Sequence, residues 1–435
     1  MIQTHELANG LQIVTRESRR VPVVAIFMWY RVGSRNEVPG STGISHWVEH
    51  MQFNGTPRYP KGRLDQLVTS KGGQWNGFTW LDFTAYFEVM PKEHLDLMLD
   101  MEADRMTNSL FDPEQVEKER TVIISERQGS ENYPGFWLQE AVQSTAYHVH
   151  PYRQSVIGTM GDLRSITRDE LYQHYRRYYV PNNAILVAVG DFDTEHLLSR
   201  VEHFFGNIPR GPEPPEVRPV EPKQHGERRV TVRRPGPAPY MQVVYHIPAA
   251  DHPDLVPLLV ADGILSGGKA VNGHGGGTAR TSRLYRRLVD TGLATRAGTY
   301  LMRTRDPGLF GLHVSLQPGA DVDEVEKAAF EEIDKLGREE PEAEELERAV
   351  KQLRAQWLYS MEGVVGQAML LGRLAIINQL DDFATLPDRI AAVPAAEVSR
   401  VVREYLHADN RTVGWFLPTG ANGLEVGSVE SARAG

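Results

Sequence analysis

Two stretches of the chain match each other, and this duplication restricts the possible folds more than any other feature. Residues 166–187 align without a gap, at an offset of 227, with residues 393–414, and both follow a helix, turn, strand pattern. The matched positions include Glu170 with Glu397, Arg176 with Arg403, Tyr178 with Tyr405 and Asn183 with Asn410. An internal repeat of this kind indicates two copies of one folding unit. We therefore expect two homologous domains.

A proline-rich, polar segment separates the copies and is typical of an extended linker. We predict a first domain over residues 1–207, a linker over residues 208–226, a homologous second domain over residues 227–419 and a disordered tail over residues 420–435. The length of 435 residues agrees with more than one domain. Each domain is expected to be α+β, with a mainly antiparallel sheet and helices packed on one face.

Composition and charge exclude several classes of protein. The 47 basic and 57 acidic residues give a net charge of −10, which argues against a nucleic-acid or anionic-membrane partner. Without cysteine there is no disulfide, thiolate metal ligand or cysteine nucleophile. No apolar run of about 18 residues predicts a membrane span, and no signal peptide is visible at the start. We expect a cytoplasmic protein, or a periplasmic one if a signal peptide has been removed.

The segment His-Trp-Val-Glu-His at residues 46–50 is the first candidate for chemistry. Residues four apart share a helix face, so the imidazoles of His46 and His50 can reach one metal ion, with Glu49 beside them. Two imidazoles leave positions for a third ligand and a water molecule, and a nearby carboxylate can take a proton from that water. The pattern H-x-x-E-H is the inverzincin signature. The alternative is a chance grouping on a solvated helix face.

Local signals define the elements around this segment. Ser41 and Thr42 offer N-cap oxygens and Gly55 a residue after the helix end, which predicts a helix of about three turns. Two strands that pair with each other are predicted at residues 11–15 and 21–30. The remaining predictions are a helix at residues 63–70, strands at 74–79 and 83–89, a helix at 94–106 and two helices between 321 and 361.

A second helix supplies two carboxylates. An N-cap aspartate followed by proline at residues 112–113 begins a helix that extends past Glu126. Glu119 and Glu126 share its apolar stripe, where a carboxylate is costly unless a cation meets it. A metal ion is one such cation, and a salt bridge to Arg120 or Arg127 is the alternative.

Two other motifs are weaker. His148 and His150 are two residues apart, as on one face of a strand, but no acidic residue nearby completes a metal site. The run His-Gly-Gly-Gly at residues 274–277 is similar to the oxyanion motif of lipases, yet no G-x-S-x-G nucleophile accompanies it. We interpret it as a flexible surface loop. No H-x-x-E-H occurs in the second copy, so the chemistry is assigned to the first.

Several separated motifs together carry a family resemblance. They are the H-x-x-E-H segment with residues 53–56, Gly72-Gly73 with Asn76, the Glu119 to Glu126 helix, residues 150–153 and 157–158, Tyr178 with Asn182 and Asn183, and residues 283–285. In this order they resemble the M16 family of pitrilysin, insulinase and mitochondrial processing peptidase, over residues 5–418. The length is similar to the short bacterial M16B type. The resemblance implies the LuxS/MPP-like metallohydrolase fold.

The resemblance also implies a zinc metalloendopeptidase, with one Zn²⁺ per chain in the first domain. By this likeness His46, His50 and Glu126 are the zinc ligands. Glu49 is the general base that deprotonates the metal-bound water, and Glu119 is a catalytic-site carboxylate that steadies the ligands. A non-catalytic core or scaffold subunit of the same fold is the alternative.

The resemblance further predicts how substrate binds. Asn76, Gly77, Phe78 and Thr79 match the family's edge strand, to which an extended peptide adds by main-chain hydrogen bonds. Recognition of this kind favours short peptides and unfolded polypeptides over folded proteins.

One departure from the family pattern predicts a partner. Active relatives carry an Arg and, seven residues on, a Tyr that stabilise the oxyanion, but alignment places Leu288 and Thr295 there. Neither side chain can replace that pair. We therefore expect a heterodimer with a homologous subunit that carries the Arg/Tyr pair, or a homodimer, enclosing a chamber. In a different register the nearby candidates are Arg286, Arg287, Arg296 and Tyr300.

Overall fold

The computed structural model describes residues 1–268 and 279–419. The strands are β1 (Ile2–Glu6), β2 (Gln12–Glu17), β3 (Val23–Tyr30), β4 (Gln74–Thr79), β5 (Thr84–Pro91), β6 (Ala184–Gly190), β7 (Arg228–Pro235), β8 (Tyr240–Ile247), β9 (Ala294–Leu301), β10 (Gly308–Leu316) and β11 (Arg411–Thr419). The loop predicted at residues 274–277 and the tail predicted at residues 420–435 lie outside the described residues.

The helices interleave with these strands. They are α1 (Ile44–Met51), α2 (Arg63–Ser70), α3 (Leu95–Asn108), α4 (Pro113–Glu131), α5 (Pro134–Ala146), α6 (Met160–Ser165), α7 (Arg168–Tyr178), α8 (Thr194–Phe205), α9 (Leu255–Ser266), α10 (Val322–Arg338), α11 (Ala343–Ser360), α12 (Gly363–Ile376), α13 (Asp382–Ala391) and α14 (Ala395–Tyr405). In the described part of the chain, no helix is both long and apolar enough to cross a bilayer.

The five strands of the second sheet repeat the order and directions of five strands of the first, which has β1 as an additional strand. The first has the order β1-β2-β6-β3-β5-β4 and the second β7-β11-β8-β10-β9. β2 pairs in parallel with β6, as β7 does with β11, and the other pairs are antiparallel. The predicted α+β fold with mainly antiparallel sheets is confirmed.

The duplication extends to single side chains. Helices α7 and α14 are offset by 227 residues at both ends. After each helix an asparagine closes the turn: Asn183 donates to the carbonyl of Tyr178 at 2.9 Å, and Asn410 donates to the carbonyl of Tyr405 at 2.7 Å. The matched tyrosine and asparagine positions therefore keep one structural role in both copies.

The predicted pairing of β2 with β3 is wrong, because β6 lies between them. Val187 of β6 faces Val14 of β2 in parallel and Phe27 of β3 in antiparallel register. All seven residues of β6 are buried, as suits a central strand with neighbours on both sides. The short connection from β2 to β3 is typical of a hairpin, and the long-range insertion of β6 overrides it.

The chain forms two compact units, and each includes a stretch from the other half of the chain. The first contains residues 1–128, 150–220 and 360–383, and the second contains residues 129–149, 221–359 and 384–419. Helix α5 packs on β7, β8 and β11, whereas α12 packs on β3 and β6. Each sheet is therefore covered in part by a helix from the other half of the chain. The predicted domains followed chain order and did not include this exchange.

The segment predicted as a linker has no helix or strand between residues 209 and 225. Side chains hold it at both ends. The backbone amide of Gly211 donates to Asn182 at 2.9 Å, and the carboxylate of Glu221 accepts from the amides of His148 and Val149 at 2.8 and 2.9 Å. The change from the first unit to the second falls between residues 220 and 221.

The core of the first unit sets the orientation of α1. Trp47, Val48 and Met51 are completely buried on one side of this helix. Burial of each such side chain contributes roughly 1.5–3 kcal/mol, so this face is strongly held. His46 and His50 are only partly buried and lie on another face of the helix. Packing therefore orients the two imidazoles together.

Candidate metal centre

Helix α1 differs from its prediction at both ends. Ser41 and Thr42 were predicted as N-caps and Gly55 as the residue after the helix, but the N-cap is Gly43 and the helix has eight residues. The hydroxyl of Thr42 instead donates to the carboxylate of Asp162 at 2.5 Å, and this bond removes it as a cap. The two-turn helix still carries both histidines.

A buried carboxylate from the preceding loop caps α1. Glu37 accepts hydrogen bonds from the amides of Gly43 and Ser45 at 2.8 and 2.9 Å, where negative charge also suits the helix dipole. Burial raises the pKa of Glu37 to about 7. Gly43 has φ +87°, and a Cβ there would lie 2.5 Å from the carbonyl oxygen of Ile157. Both conditions require glycine at the start of α1.

The predicted ligands come together at one point. The Nε2 atoms of His46 and His50 lie 3.9 and 3.6 Å from Oε2 of Glu126, and one donor atom from each residue lies within 4.8 Å of the others. In a tetrahedral zinc site with bonds of about 2.0–2.2 Å, neighbouring ligand atoms lie roughly 3.3–3.6 Å apart. Two imidazoles and one carboxylate fit Zn²⁺ and leave a fourth position open.

The two imidazoles have different surroundings. Burial, and then the neighbouring His50, lowers the pKa of His46 to about 3, so the ring is neutral. The buried Nδ1 of His46 has no hydrogen-bond partner in residues 1–268 and 279–419. His50 differs, because its Nδ1 lies 3.3 Å from Oε2 of Glu119.

Glu119 supports His50 rather than joining the three donors. It accepts from Asn54 at 3.2 Å and lies 3.5 Å from the ammonium of Lys61. The hydrogen bond with His50 is the main reason that the pKa of Glu119 lies below its usual value. An ionised Glu119 favours the tautomer with a proton on Nδ1 and a free lone pair on Nε2 of His50.

Glu49 lies beside the histidines on α1 and is more deeply buried than they are. Its side chain is 7% exposed, and burial raises the pKa of the carboxyl group above the usual range. The hydroxyl of Thr79 donates to Oε2 of Glu49 at 2.6 Å. A carboxylate whose pKa is raised toward neutrality is suited to accept and return a proton near pH 7.

Helix α4 presents its carboxylates to the histidines because arginines fix it. Arg120 donates to two backbone carbonyls at 2.7 and 2.9 Å and pairs with Glu117. Arg127 donates to a third carbonyl at 2.5 Å. Glu119 and Glu126 lie close to His50 on α1, at 3.3 and 3.6 Å.

Strand β4 lies at the edge of the first sheet, where the resemblance expects the peptide-binding strand. Asn76 is exposed, and its Oδ1 accepts from the amide of Gly77 at 2.8 Å. The ring of Phe78 packs edge-on against Trp29, with centroids 5.6 Å apart. Thr79 holds Glu49, a contact that the sequence did not suggest. The substrate-binding role of these four residues stays a prediction.

His150 and the two positions aligned with the family's Arg/Tyr pair have other contacts. His150 is 3% exposed, and its Nδ1 accepts from the amide of Tyr152 at 3.2 Å. Leu288 is completely buried, and the hydroxyl of Thr295 donates to the carbonyl of Ser315 at 3.1 Å. Neither Leu288 nor Thr295 can donate to an oxyanion in this arrangement.

The second unit contains a carboxylate at the place that corresponds to Glu49. Asp262 on α9 is 6% exposed and accepts a hydrogen bond from Thr299 on β9, as Glu49 on α1 accepts one from Thr79 on β4. The hydroxyls of Thr299 and Ser266 are 2.6 Å apart. The sequence alone did not single out Asp262, because the two helices share no residue pattern.

The neighbours of Asp262 cannot bind a metal ion. His46 and His50 stand three residues before and one residue after Glu49, whereas Leu259 and Gly263 occupy those positions around Asp262. Leu and Gly side chains offer no donor atom. Among the residues that the structure describes, the grouped donors His46, His50 and Glu126 lie in the first copy.

The structure combines a duplicated α+β fold with a helix that carries the H-x-x-E-H pattern, which is the inverzincin signature. The chain belongs to peptidase family M16. Residues 12–160 match the family model described as Insulinase (Peptidase family M16), and residues 165–353 match the model described as Peptidase M16 inactive domain.

Similar proteins span nearly the whole chain. The zinc protease PqqE of Helicobacter pylori is 28% identical over 95% of this chain and 92% of that protein. A probable mitochondrial-processing peptidase subunit beta of Arabidopsis thaliana is 27% identical over 92% of this chain and 75% of that protein. The crystal structure of a protease from Helicobacter pylori superimposes with a TM-score of 0.91 and 27% identity, covering 96% of this chain and 99% of that one.

Proposed function

We propose that the chain is a catalytic zinc metalloendopeptidase with one zinc ion held by His46, His50 and Glu126. The observation that carries the proposal is the meeting of these three donors within 4.8 Å of one another, beside the buried Glu49. A bound zinc ion supplies Lewis acidity, which lowers the pKa of a water ligand and polarises a peptide carbonyl.

Protein side chains transfer the proton and orient the groups that take part in the reaction. Glu49 takes a proton from the attacking water and returns it to the leaving amine, since its raised pKa lies nearer to neutrality. Glu119 keeps the proton of His50 on Nδ1. The short hydrogen bond from Thr79 holds the carboxylate of Glu49.

The substrate class follows from the edge position of β4. An extended peptide pairs with this strand through main-chain hydrogen bonds, with Asn76, Gly77 and Phe78 next to it. Because pairing of this kind needs an extended segment, short peptides and unfolded polypeptides are preferred. The similarity to proteins named as proteases supports this choice.

The oxyanion donors come from a partner subunit in this proposal. Leu288 is buried and Thr295 bonds to a backbone carbonyl, so the chain has no Arg/Tyr pair at these positions. Loss of one oxyanion donor costs about 10²–10³ in rate in other hydrolases, which makes an external source important. A similar protein named as a subunit beta supports assembly with a homologous chain, and a homodimer is the other form.

A non-catalytic scaffold is the second candidate, and one finding favours it. The family model over residues 165–353 is described as an inactive domain, and no metal ligands flank Asp262 in the second unit. A scaffold has no need of a buried general base beside three metal donors. The peptidase and the scaffold therefore predict different effects of a Glu49 substitution on hydrolysis.

The test compares Glu49→Gln with Asp262→Asn, the matching change in the second unit. Hydrolysis of a quenched fluorescent peptide is measured with zinc, alone and with the homologous subunit, and zinc content is measured by mass spectrometry. We expect Glu49→Gln to keep one zinc per chain and lose about 10²–10⁴-fold in activity. Asp262→Asn should retain activity. Equal activity in wild type and Glu49→Gln, or no zinc-dependent hydrolysis in any combination, contradicts the proposal.

A further inference from the structure

The edge strand β4 ends at the residue that hydrogen-bonds to Glu49, the proposed general base. Thr79 is the last residue of β4, and its hydroxyl donates to Glu49 at 2.6 Å. In the described part of the chain, this is the one hydrogen bond to the Glu49 carboxylate. A glutamate side chain has three rotatable bonds, so a single short bond decides where its oxygens lie.

A buried neighbour directs the proton of Thr79 toward Glu49. Thr84 is completely buried, and its hydroxyl donates to the carbonyl of Val32 at 2.9 Å. A threonine hydroxyl has one proton, so Thr84 then offers only lone pairs to Thr79, 3.3 Å away. The proton of Thr79 has two acceptors, and the carboxylate at 2.6 Å is both closer and charged.

The position of Thr79 also depends on the strand that contains it. Thr79 pairs with Thr84 across β4 and β5, and the strand is hydrogen-bonded on this side only, because it is the edge of the sheet. A peptide that pairs with the free side of β4 restrains its backbone. Because Thr79 belongs to this strand and donates to Glu49, its side chain transmits the restraint to the carboxylate.

We propose that Thr79 is a positioning residue, which couples occupation of the edge strand to the placement of the Glu49 carboxylate. The inference rests on the proposed peptidase function, in which Glu49 is the base. It changes the predicted role of Thr79 from contact with substrate to support of Glu49. Peptide binding itself then depends on the backbone of β4 rather than on this hydroxyl.

Two substitutions separate the hydroxyl from the shape of the side chain. Thr79→Val removes the hydroxyl and keeps a β-branched residue suited to a strand, and Thr79→Ser keeps the hydroxyl. Thr299→Val makes the same change in the second unit, where the hydroxyl meets Asp262. For each variant of the full zinc-loaded protein, kcat, KM, zinc content and the crystal structure are determined.

The positioning role predicts a split between kcat and KM. In Thr79→Val we expect kcat to fall about 10- to 100-fold, as for loss of a hydrogen bond to a charged group, with KM and zinc content unchanged. The Glu49 carboxylate should leave its wild-type position in the crystal structure. Thr79→Ser should restore both kcat and this position, and Thr299→Val should leave kcat unchanged.

Three results overturn the inference. A higher KM with unchanged kcat assigns Thr79 to substrate binding, and loss of zinc in Thr79→Val assigns it to the integrity of the site. An unmoved Glu49 carboxylate in the Thr79→Val crystal structure removes the coupling. If wild type shows no hydrolysis either alone or with the homologous subunit, the proposed function fails, and the crystal structures still decide whether Thr79 positions Glu49.

Discussion

The carboxylate of Glu119 lies 3.3 Å from Nδ1 of His50, while Nε2 of the same ring faces Glu126 at 3.6 Å. The Nδ1 atom of His50 thus contacts the supporting carboxylate, and its Nε2 atom is directed toward the place where a metal ion would bind. This contact explains why a carboxylate outside the donor set lies on the apolar stripe of α4.

Glu119→Gln should weaken zinc binding by about 10- to 100-fold, because the amide cannot hold the Nδ1 proton of His50 as a carboxylate does. Affinity is measured by competition with a chromophoric chelator. Glu114→Gln is the control, since Glu114 lies on the same helix and its side chain is 76% exposed. Equal zinc affinity in Glu119→Gln and wild type contradicts this role.

Gly43→Ala should destabilise the protein by more than the strain of a positive φ alone, and it should also lower zinc affinity by moving α1. A Cβ at Gly43 would lie 2.5 Å from a backbone oxygen, whereas Gly40, with φ +97°, has nothing within 4 Å of its Cβ position. Gly40→Ala should therefore cost only about 1–3 kcal/mol. Urea unfolding compares the two, and equal losses of stability refute the close-packing argument.

The buried His174 should make stability depend on pH. Burial, and then the nearby Arg177, lowers the pKa of His174 to about 3, so the folded protein holds it neutral while the unfolded chain protonates near pH 6.5. This contribution is complete above pH 6.5 and is lost as the pH falls below it. At pH 5.5 the loss is about 1.4 kcal/mol.

The comparison of wild type with His174→Gln isolates this contribution. Other groups, such as Glu37 with its raised pKa, change stability with the opposite sign and cancel between the two proteins. Urea unfolding at pH 7.5 and pH 5.5 should show a smaller loss on acidification in His174→Gln. Equal losses in both proteins mean that His174 is not held neutral by the fold.

Removal of zinc should stop hydrolysis without unfolding the chain. The apolar face of α1, with Trp47, Val48 and Met51, is buried in the core independently of the imidazoles, and Glu126 is 44% exposed. Zinc should therefore stabilise only by the mass action of binding. Circular dichroism after chelation should retain the native helix signal, and added zinc should restore activity. Cooperative unfolding on chelation would instead identify a structural site.

Features with a local or repeated pattern were predictable from the sequence. The spacing of His46, Glu49 and His50 places them on one short helix, and the repeated residues around Asn183 and Asn410 gave the duplication. Glu126 was found because a helical stripe and a family resemblance agreed.

Features that depend on contacts across the chain were not predictable. Glu37 caps α1 from a separate loop, and no residue spacing records that contact. The hydrogen bond of Thr79 to Glu49 needs the register of β4 beside α1. The exchange of α5 and α12 between units depends on which sheet each helix packs against, and such long-range packing leaves no signal in the local sequence.

The central claim is that one zinc ion is held jointly by His46, His50 and Glu126. The most direct measurement is a crystal structure of the zinc-loaded protein with anomalous diffraction on both sides of the zinc absorption edge. We predict a single peak per chain, about 2.0–2.2 Å from Nε2 of both histidines and from a carboxylate oxygen of Glu126. A peak elsewhere, or no peak between these residues in protein loaded with zinc, would contradict the account.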